Sequence, residues 1–351
     1  MHILITGGAG YVGSVLVPKL LARGHEVRVL DRMFWGLPAY AGQPGVELVN
    51  DDVRQMPETV LNGIDAVVHL AGLSNDPTSE YNPDANWQMN VLATARLARL
   101  CTARRVRRLV FGSSCSLYDD SGAGAAIFDE RAPLRPRGAY AISKFRAEEA
   151  LLSEIGNGLE PVILRQATVF GVSDRMRFDL VVNAFVKDGL ARGELTLHGG
   201  GAMWRPLISI EDLTDIQIAC LEAPRATVAG QIFNAVQGNY SVRDLADDVT
   251  DALRERGRAV TLVDGPLPKI VRSYRCSGAK LCRQLGIRAD ITPADGARAL
   301  TRRFAPMPAE ELFHPRYYNI RWMELLEQVR PAFSALSTIF DPIQEDVPVR
   351  V

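Results

Sequence analysis

The chain has 351 residues, 47% of them hydrophobic, which is enough for a well-buried core in more than one lobe and excludes disorder as its main state. Forty basic residues against forty-one acidic ones leave a formal net charge of -1, so no global field draws the protein to nucleic acid or to a membrane surface. No apolar run reaches the roughly twenty residues of a membrane span, and the five cysteines (Cys101, Cys115, Cys220, Cys276, Cys282) contain no Cys-x-x-Cys pair, so neither a disulfide framework nor a bound metal is expected.

The N-terminus enters a strand-like Ile3-Leu4-Ile5 without a charged signal region, so the mature protein is expected to begin at Met1 and to be cytoplasmic. Short apolar runs recur at His2–Thr6, Glu26–Leu30, Val46–Val49, Ala66–Leu70 and Leu109–Gly112, and they read as buried parallel strands. Helix-period segments lie between them, including Tyr11–Ala22 and Ala85–Ala103. Such alternation predicts right-handed βαβ units and therefore an α/β fold, a doubly wound parallel sheet. A further helix is expected over Arg137–Leu152 and a strand over Pro161–Arg165, after which the pattern becomes mixed. Residues 1–166 are expected to form a dinucleotide-binding domain, to which 206–235 return through a helix from Glu211 and a strand Ile232–Ala235; residues 167–205 and 236–351 are expected to form a smaller mixed α/β substrate-binding lobe. Gly199–Gly201 and Pro306–Pro315 read as loops. The tail from Ala305 carries Phe313, Tyr317, Tyr318 and Trp322, for which a packed cap or a dimer contact is expected.

The opening Thr6-Gly7-Gly8-Ala9-Gly10-Tyr11-Val12-Gly13 spaces three glycines, Gly7, Gly10 and Gly13, between a strand and a helix. Glycine permits positive φ and close approach of a pyrophosphate, and the helix start offers free N–H groups and partial positive charge. This predicts a Rossmann-like phosphate site. Asp31 closes the second strand, where a carboxylate can accept bonds from the adenosine ribose and repel a 2′-phosphate, which favours NAD over NADP; Arg32 beside it keeps NADP open. Asp52-Val53 after the third strand can meet adenine, and Leu70-Ala71-Gly72 follow the fourth, while His69 reads as a satisfied strand-end residue.

Tyr140-Ala141-Ile142-Ser143-Lys144 sets a tyrosine and a lysine at i and i+4 on one helical face. A phenol has a pKa near 10, so acid/base work near neutrality needs a nearby cation, here Lys144 and a nicotinium ring. Ser114, just past the fifth strand in Phe111-Gly112-Ser113-Ser114-Cys115-Ser116-Leu117-Tyr118, can hold the reacting oxygen.

With these motifs in this order, together with Asn90 in N-V-L-A-T and R-P-L-I-S-I-E-D-L, the sequence resembles the extended short-chain dehydrogenase/reductases, specifically the NAD-dependent sugar epimerase/dehydratase family, over residues 1 to about 300. The resemblance implies that Tyr140 is the acid/base, that Lys144 binds the nicotinamide ribose and lowers the tyrosine pKa, and that Ser114 polarises the substrate oxygen. Family members that dehydrate carry an Asp-Glu pair after the catalytic Ser/Thr, decarboxylases a Glu at the second place, and some epimerases a cysteine there as base; this chain has Cys115-Ser116. Cys115 is out of place for that role and reads as a packing residue, while Ser116 resembles the hydroxyl of 4-epimerases. Arg205 resembles the arginine that grips a nucleotide diphosphate, and Asn183 an asparagine on the same group. Thr168 stands where many 4-epimerases have asparagine, Asp119 replaces a usual glycine, and Ser277 stands where an aspartate is common. The expectation is a nucleotide-sugar 4-epimerase with bound NAD acting as a homodimer, with two alternatives: a 4-ketoreductase using exchangeable NAD(P)H, or a non-catalytic dinucleotide sensor.

Overall fold

In the computed structural model, residues 1–118, 126–266 and 272–340 are described, the side chains of 333–340 excepted; Asp119 lies outside them. The strands in chain order are β1 (His2–Thr6), β2 (Glu26–Asp31), β3 (Val46–Asn50), β4 (Ala66–His69), β5 (Arg108–Ser114), β6 (Ile127–Phe128), β7 (Glu160–Gln166), β8 (Thr168–Phe170), β9 (Glu194–His198), β10 (Trp204–Ser209), β11 (Ile232–Ala235), β12 (Gly238–Ser241), β13 (Thr261–Gly265) and β14 (Arg275–Cys276). Seven of them form a parallel sheet in the order β11-β7-β5-β4-β1-β2-β3. The chain first runs outward from β1 to β3 and then returns to the other side of β1, so the order reverses between β1 and β4. A crevice opens at their carboxyl ends for that reason.

Strand alternation sorts neighbouring side chains to opposite faces. Ile3, Ile5, Val27 and Val29 enter one core cluster with the helices Gly13–Ala22 and Ile210–Glu222, whereas Leu4, Leu30 and Val67 enter another with the helix Ala93–Ala103. The predicted helix over 85–103 is interrupted: Pro83–Trp87 is helical, Gln88–Leu92 is a π-turn, and Ala93–Ala103 resumes. The wider turn carries Asn90, whose amide accepts from the Leu73 N–H and donates to the Leu73 carbonyl, each at 2.9 Å.

Smaller sheets (β12-β10-β8, β13-β9 and β14-β6) stand beside the large one. Next to them lies a second core that includes Phe178, Leu195, Leu245 and Phe304, to which the helices Val181–Arg192, Val242–Arg254 and Pro293–Phe304 contribute. The last two begin with capping boxes, Ser241 with Asp244 and Thr292 with Asp295, which satisfy leading N–H groups at both helix starts.

The helix Gly138–Ser153 is fastened to the large sheet by charge. Glu148, 2% exposed, accepts from Arg165 Nε at 3.0 Å and Nη2 at 2.7 Å, and from Ser113 Oγ at 2.5 Å. Arg165 Nη1 also donates to the Tyr118 hydroxyl at 2.7 Å, which donates to Asn234 at 2.8 Å. Removing one member of such a buried pair leaves the other charge uncompensated, so Glu148→Ala should cost about 3–5 kcal/mol in a urea titration. The double variant Glu148→Leu, Arg165→Met should recover much of that loss.

Candidate active site

The glycine turn leaves β1 with Gly7 at φ +76°; a Cβ there would come 2.6 Å from the Ala71 backbone nitrogen. One at Gly13 would come 2.3 Å from the Gly8 carbonyl, so helix and strand approach too closely for any side chain. No side chain caps the first turn of the helix Gly13–Ala22, whose Ser14 and Val15 N–H groups bond the Gly10 and Val12 carbonyls at 2.9 and 3.1 Å, and the positive end of the helix is left for an anion. The side chain of Tyr11 enters the second core, donating to the Gly171 carbonyl at 2.8 Å, and both Tyr11 and Val12 line the crevice.

Two cavities of about 270 and 290 Å³ share Gly7, Gly10, Leu70 and Gly72 and form one elongated cleft. Asp31, Arg32, Asp52, Val53 and Ala71 line one end. Asp31 accepts from the Ala9 and Met33 N–H groups at 3.1 and 2.9 Å, while burial raises its pKa from the ordinary carboxylate value. Arg32 is engaged with Asp52 at 2.8 Å and stacked 4.9 Å over Phe34. Hydrogen bonds from Arg54 hold Asp52 down at about 2, against its partial burial.

Ser114, Tyr140 and Lys144 meet at the other end of the cleft, joined by Thr168. Burial pushes the Tyr140 phenol up to about 12, opposed by a hydrogen bond with Ser114 and by the charges of Arg177 and Arg272, and assisted by Asp76. Burial lowers Lys144 to about 8, partly offset by Glu148; its ammonium donates to the Gly112 carbonyl at 2.8 Å and lies 4.7 Å over the Phe111 ring. The phenol therefore stays neutral near pH 7 in the protein alone, and a further positive charge is needed to bring it into range.

Ser116 donates its N–H to Ser114 Oγ at 3.1 Å, and its own hydroxyl is buried without a partner among the described residues. Cys115 is fully buried, with its thiol on the Arg165 carbonyl at 3.1 Å, and burial pushes its pKa well above the ordinary value. Asn183 spends its amide on Tyr11, Gly171 and Arg177. Arg205 donates to the carbonyls of Trp204 and Arg272, and its charge lies near Tyr274, which lines the cleft. Neither Asn183 nor Arg205 reaches the described lining.

Sequence reading missed several lining residues: Trp35, Ser74, Gln166, Arg175, Arg177 and Asn319. Most of them come from loops and from the tail, where no period or motif marks them. The tail helix Asn319–Phe340 covers the cleft from above, with Trp322 Nε1 on the Phe34 carbonyl at 2.7 Å and Glu327 on the Tyr81 hydroxyl at 2.9 Å. No described residue lining the Ser114/Tyr140 cavity is a carboxylate, a histidine or a cysteine.

The sequence model of the NAD dependent epimerase/dehydratase family matches residues 3–235. UDP-glucuronic acid decarboxylase 1 of Xenopus tropicalis is 32% identical over 63% of this chain and 54% of its own length, so the chain spans about half of that relative. UDP-glucose 4-epimerase of Corynebacterium glutamicum is 30% identical over 70% of this chain and 79% of its own. The crystal structure of UDP-glucose 4-epimerase from Thermus thermophilus in complex with NAD superposes with a TM-score of 0.76 at 27% identity, covering 88% of this chain and all of that one.

His69 is buried between Thr6 Oγ1 at 2.6 Å and Thr94 Oγ1 at 2.9 Å, and burial, helped by the Lys144 charge, lowers its pKa to about 3. The unfolded chain titrates this group near 6.5 and so takes up a proton that the folded one refuses. The resulting stability is complete above about pH 6.5 and declines as the pH falls towards 3. Denaturant midpoints at pH 7 and 4.5 should differ less in His69→Asn than in the wild type.

Proposed function

Because this chain belongs to the NAD dependent epimerase/dehydratase family, an enzyme family that acts on nucleotide sugars, we propose that it is a nucleotide-sugar 4-epimerase that keeps NAD bound. The cleft suits that cofactor on its own features. Glycines leave room for a diphosphate at an uncapped helix start, Asp31 faces the ribose end, and Arg32 is already committed to Asp52. These features favour NAD over NADP. When bound, NAD takes a hydride from a carbinol carbon and can return it to the resulting ketone.

The chain's own residues do the rest. Tyr140 takes the hydroxyl proton as the hydride leaves and gives it back on return, with Ser114 holding the oxygen. Lys144, fixed on the Gly112 carbonyl, supplies the cationic field and a donor for the nicotinamide ribose, as the family resemblance implies. Thr168, which lines the cleft with Ser114 and Tyr140, is assigned to the sugar. Ser116 and Arg205 are assigned to the substrate by their chain positions, Arg205 towards its diphosphate; Asn183, with its amide used by Tyr11, Gly171 and Arg177, is assigned to holding the loop.

One observation carries the choice of reaction. The described lining around Ser114 and Tyr140 offers no carboxylate, imidazole or thiol to break a C–O or C–C bond or to deprotonate a neighbouring carbon. Hydride transfer alone needs none. A homodimer fits the exposed apolar side chains Leu92 and Ile142, 53% and 40% accessible.

Two measurements test the reading. Purified protein given UDP-glucose in deuterated water, with no added cofactor, should form the 4-epimer with no deuterium on carbon. Label at C3 or C5 would demand a base absent from this scheme, and dependence on added NAD(P)H would favour the ketoreductase. Tyr140→Phe should lower turnover by about two to four orders of magnitude while leaving NAD content unchanged; near-normal turnover would remove Tyr140 from the chemistry.

A further inference from the structure

The loop after β8 carries two arginines to the roof of the cleft. Arg177 is matched: it bonds Asp179 twice at 2.9 Å and gives its third donor to Ser74 Oγ at 2.9 Å. Arg175 has no such carboxylate among the described residues. Its guanidinium lies 3.9 Å from the Trp35 ring centroid, with Nη2 on Asn319 Oδ1 at 2.5 Å and Nη1 on the Met176 carbonyl at 3.5 Å. Its Nε is buried and without a partner among the described residues. The indole Nε1 of Trp35 is a second buried donor in the same condition.

Both residues line the cleft beside Gly7 and Gly10, and both also face a neighbouring cavity with Ala9 and Ser14. They therefore overlook the glycine turn and the uncapped helix start from the opposite wall. Burial and the Arg177 charge lower the Arg175 pKa to about 9, opposed by the charges of Asp179 and Asp31, neither of which bonds it. Buried donors left unpaired are costly, and a guanidinium held flat on an aromatic ring is preorganised for an oxyanion.

We propose that Arg175 and Trp35 complete a diphosphate site, gripping from above the diphosphate that the glycine turn receives from below. Asn319, at the start of the tail helix, holds the guanidinium in place and donates to Ser74 Oγ at 3.3 Å, so the tail closes over the bound anion. The location opposite the glycine turn assigns the anion to the dinucleotide rather than to the sugar nucleotide. This inference rests on the cofactor reading above.

Calorimetry on the full chain cleared of bound nucleotide separates the two. ADP-ribose carries the diphosphate without the nicotinamide, and UDP probes the other source. Arg175→Gln should weaken ADP-ribose about ten- to a hundredfold and leave UDP unchanged; Trp35→Phe, which keeps an aromatic ring and loses the N–H, should weaken it several-fold. The melting temperature of unliganded Arg175→Gln should hold or rise, because an unmatched buried cation has been removed. A lower melting temperature with ADP-ribose affinity retained would make Arg175 a structural strut and overturn the proposal. Weakened UDP with unchanged ADP-ribose would also overturn it, by moving the anion to the substrate. Wild-type protein that binds no ADP-ribose would sink the cofactor reading itself, whereas equal binding by wild type and variant would sink this inference alone.

Discussion

The buried pair of Glu148 and Arg165 is the interaction on which the site depends. Glu148 is one turn beyond Lys144 and two beyond Tyr140 on the helix Gly138–Ser153, and its carboxylate ties that helix to Ser113 on β5 and Arg165 on β7. Ser113 immediately precedes Ser114. One ion pair thus sets the distance between the strand that carries the serine and the helix that carries the tyrosine and lysine. A charge pair at 4% and 2% side-chain exposure gains little net stability over an apolar one. Its directional bonds specify register instead, and register is what a three-residue site needs.

Burial then shapes the electrostatics. The same desolvation that raises Tyr140 lowers Lys144 and, in the core behind them, His69, so the protein alone holds a neutral phenol and a weakened ammonium at the cleft and an uncharged imidazole beneath it. Such a site is poised rather than active: positive charge brought by a ligand would move the phenol towards the operating range. The roof arginines follow the same logic. Arg177 is neutralised internally by Asp179, whereas Arg175 is left with an amide and an aromatic face. The cleft carries two arginines on one wall and lysine, amide and hydroxyl groups near Ser114, a surface suited to anionic ligands.

The tail turns an open crevice into a covered one. Sequence reading expected a packed cap or a dimer contact from residues 305 onward, and within the described residues the helix Asn319–Phe340 is a cap whose bonds go to Phe34, Ser74, Tyr81 and Arg175. Each partner belongs to a different segment around the cleft. A helix bonded at four points to the rim is held over the cleft by several independent segments.

Much was legible in the sequence because it is written locally. Buried parallel strands need continuous apolar runs, so β1 and β11 fall on their expected residues and the others of the large sheet within about two. A glycine turn needs glycine where a Cβ would strike backbone, and an i, i+4 pair lies on one helical face whatever surrounds it. Those rules marked the phosphate turn, Asp31, Ser114, Tyr140 and Lys144. They could not say where long polar side chains from separate loops would point. Arg205 and Asn183 have motif-like neighbours, and the fold also gives them bonds within the chain, to carbonyls and to Tyr11; Trp35, Arg175 and Asn319 have none, yet the fold brings them together. Periodicity and backbone sterics act between neighbours in the chain and determined the scaffold and its tyrosine–lysine pair, whereas the roof of the cleft joins residues up to 284 positions apart in number, from Trp35 to Asn319, and only packing could decide which of them meet.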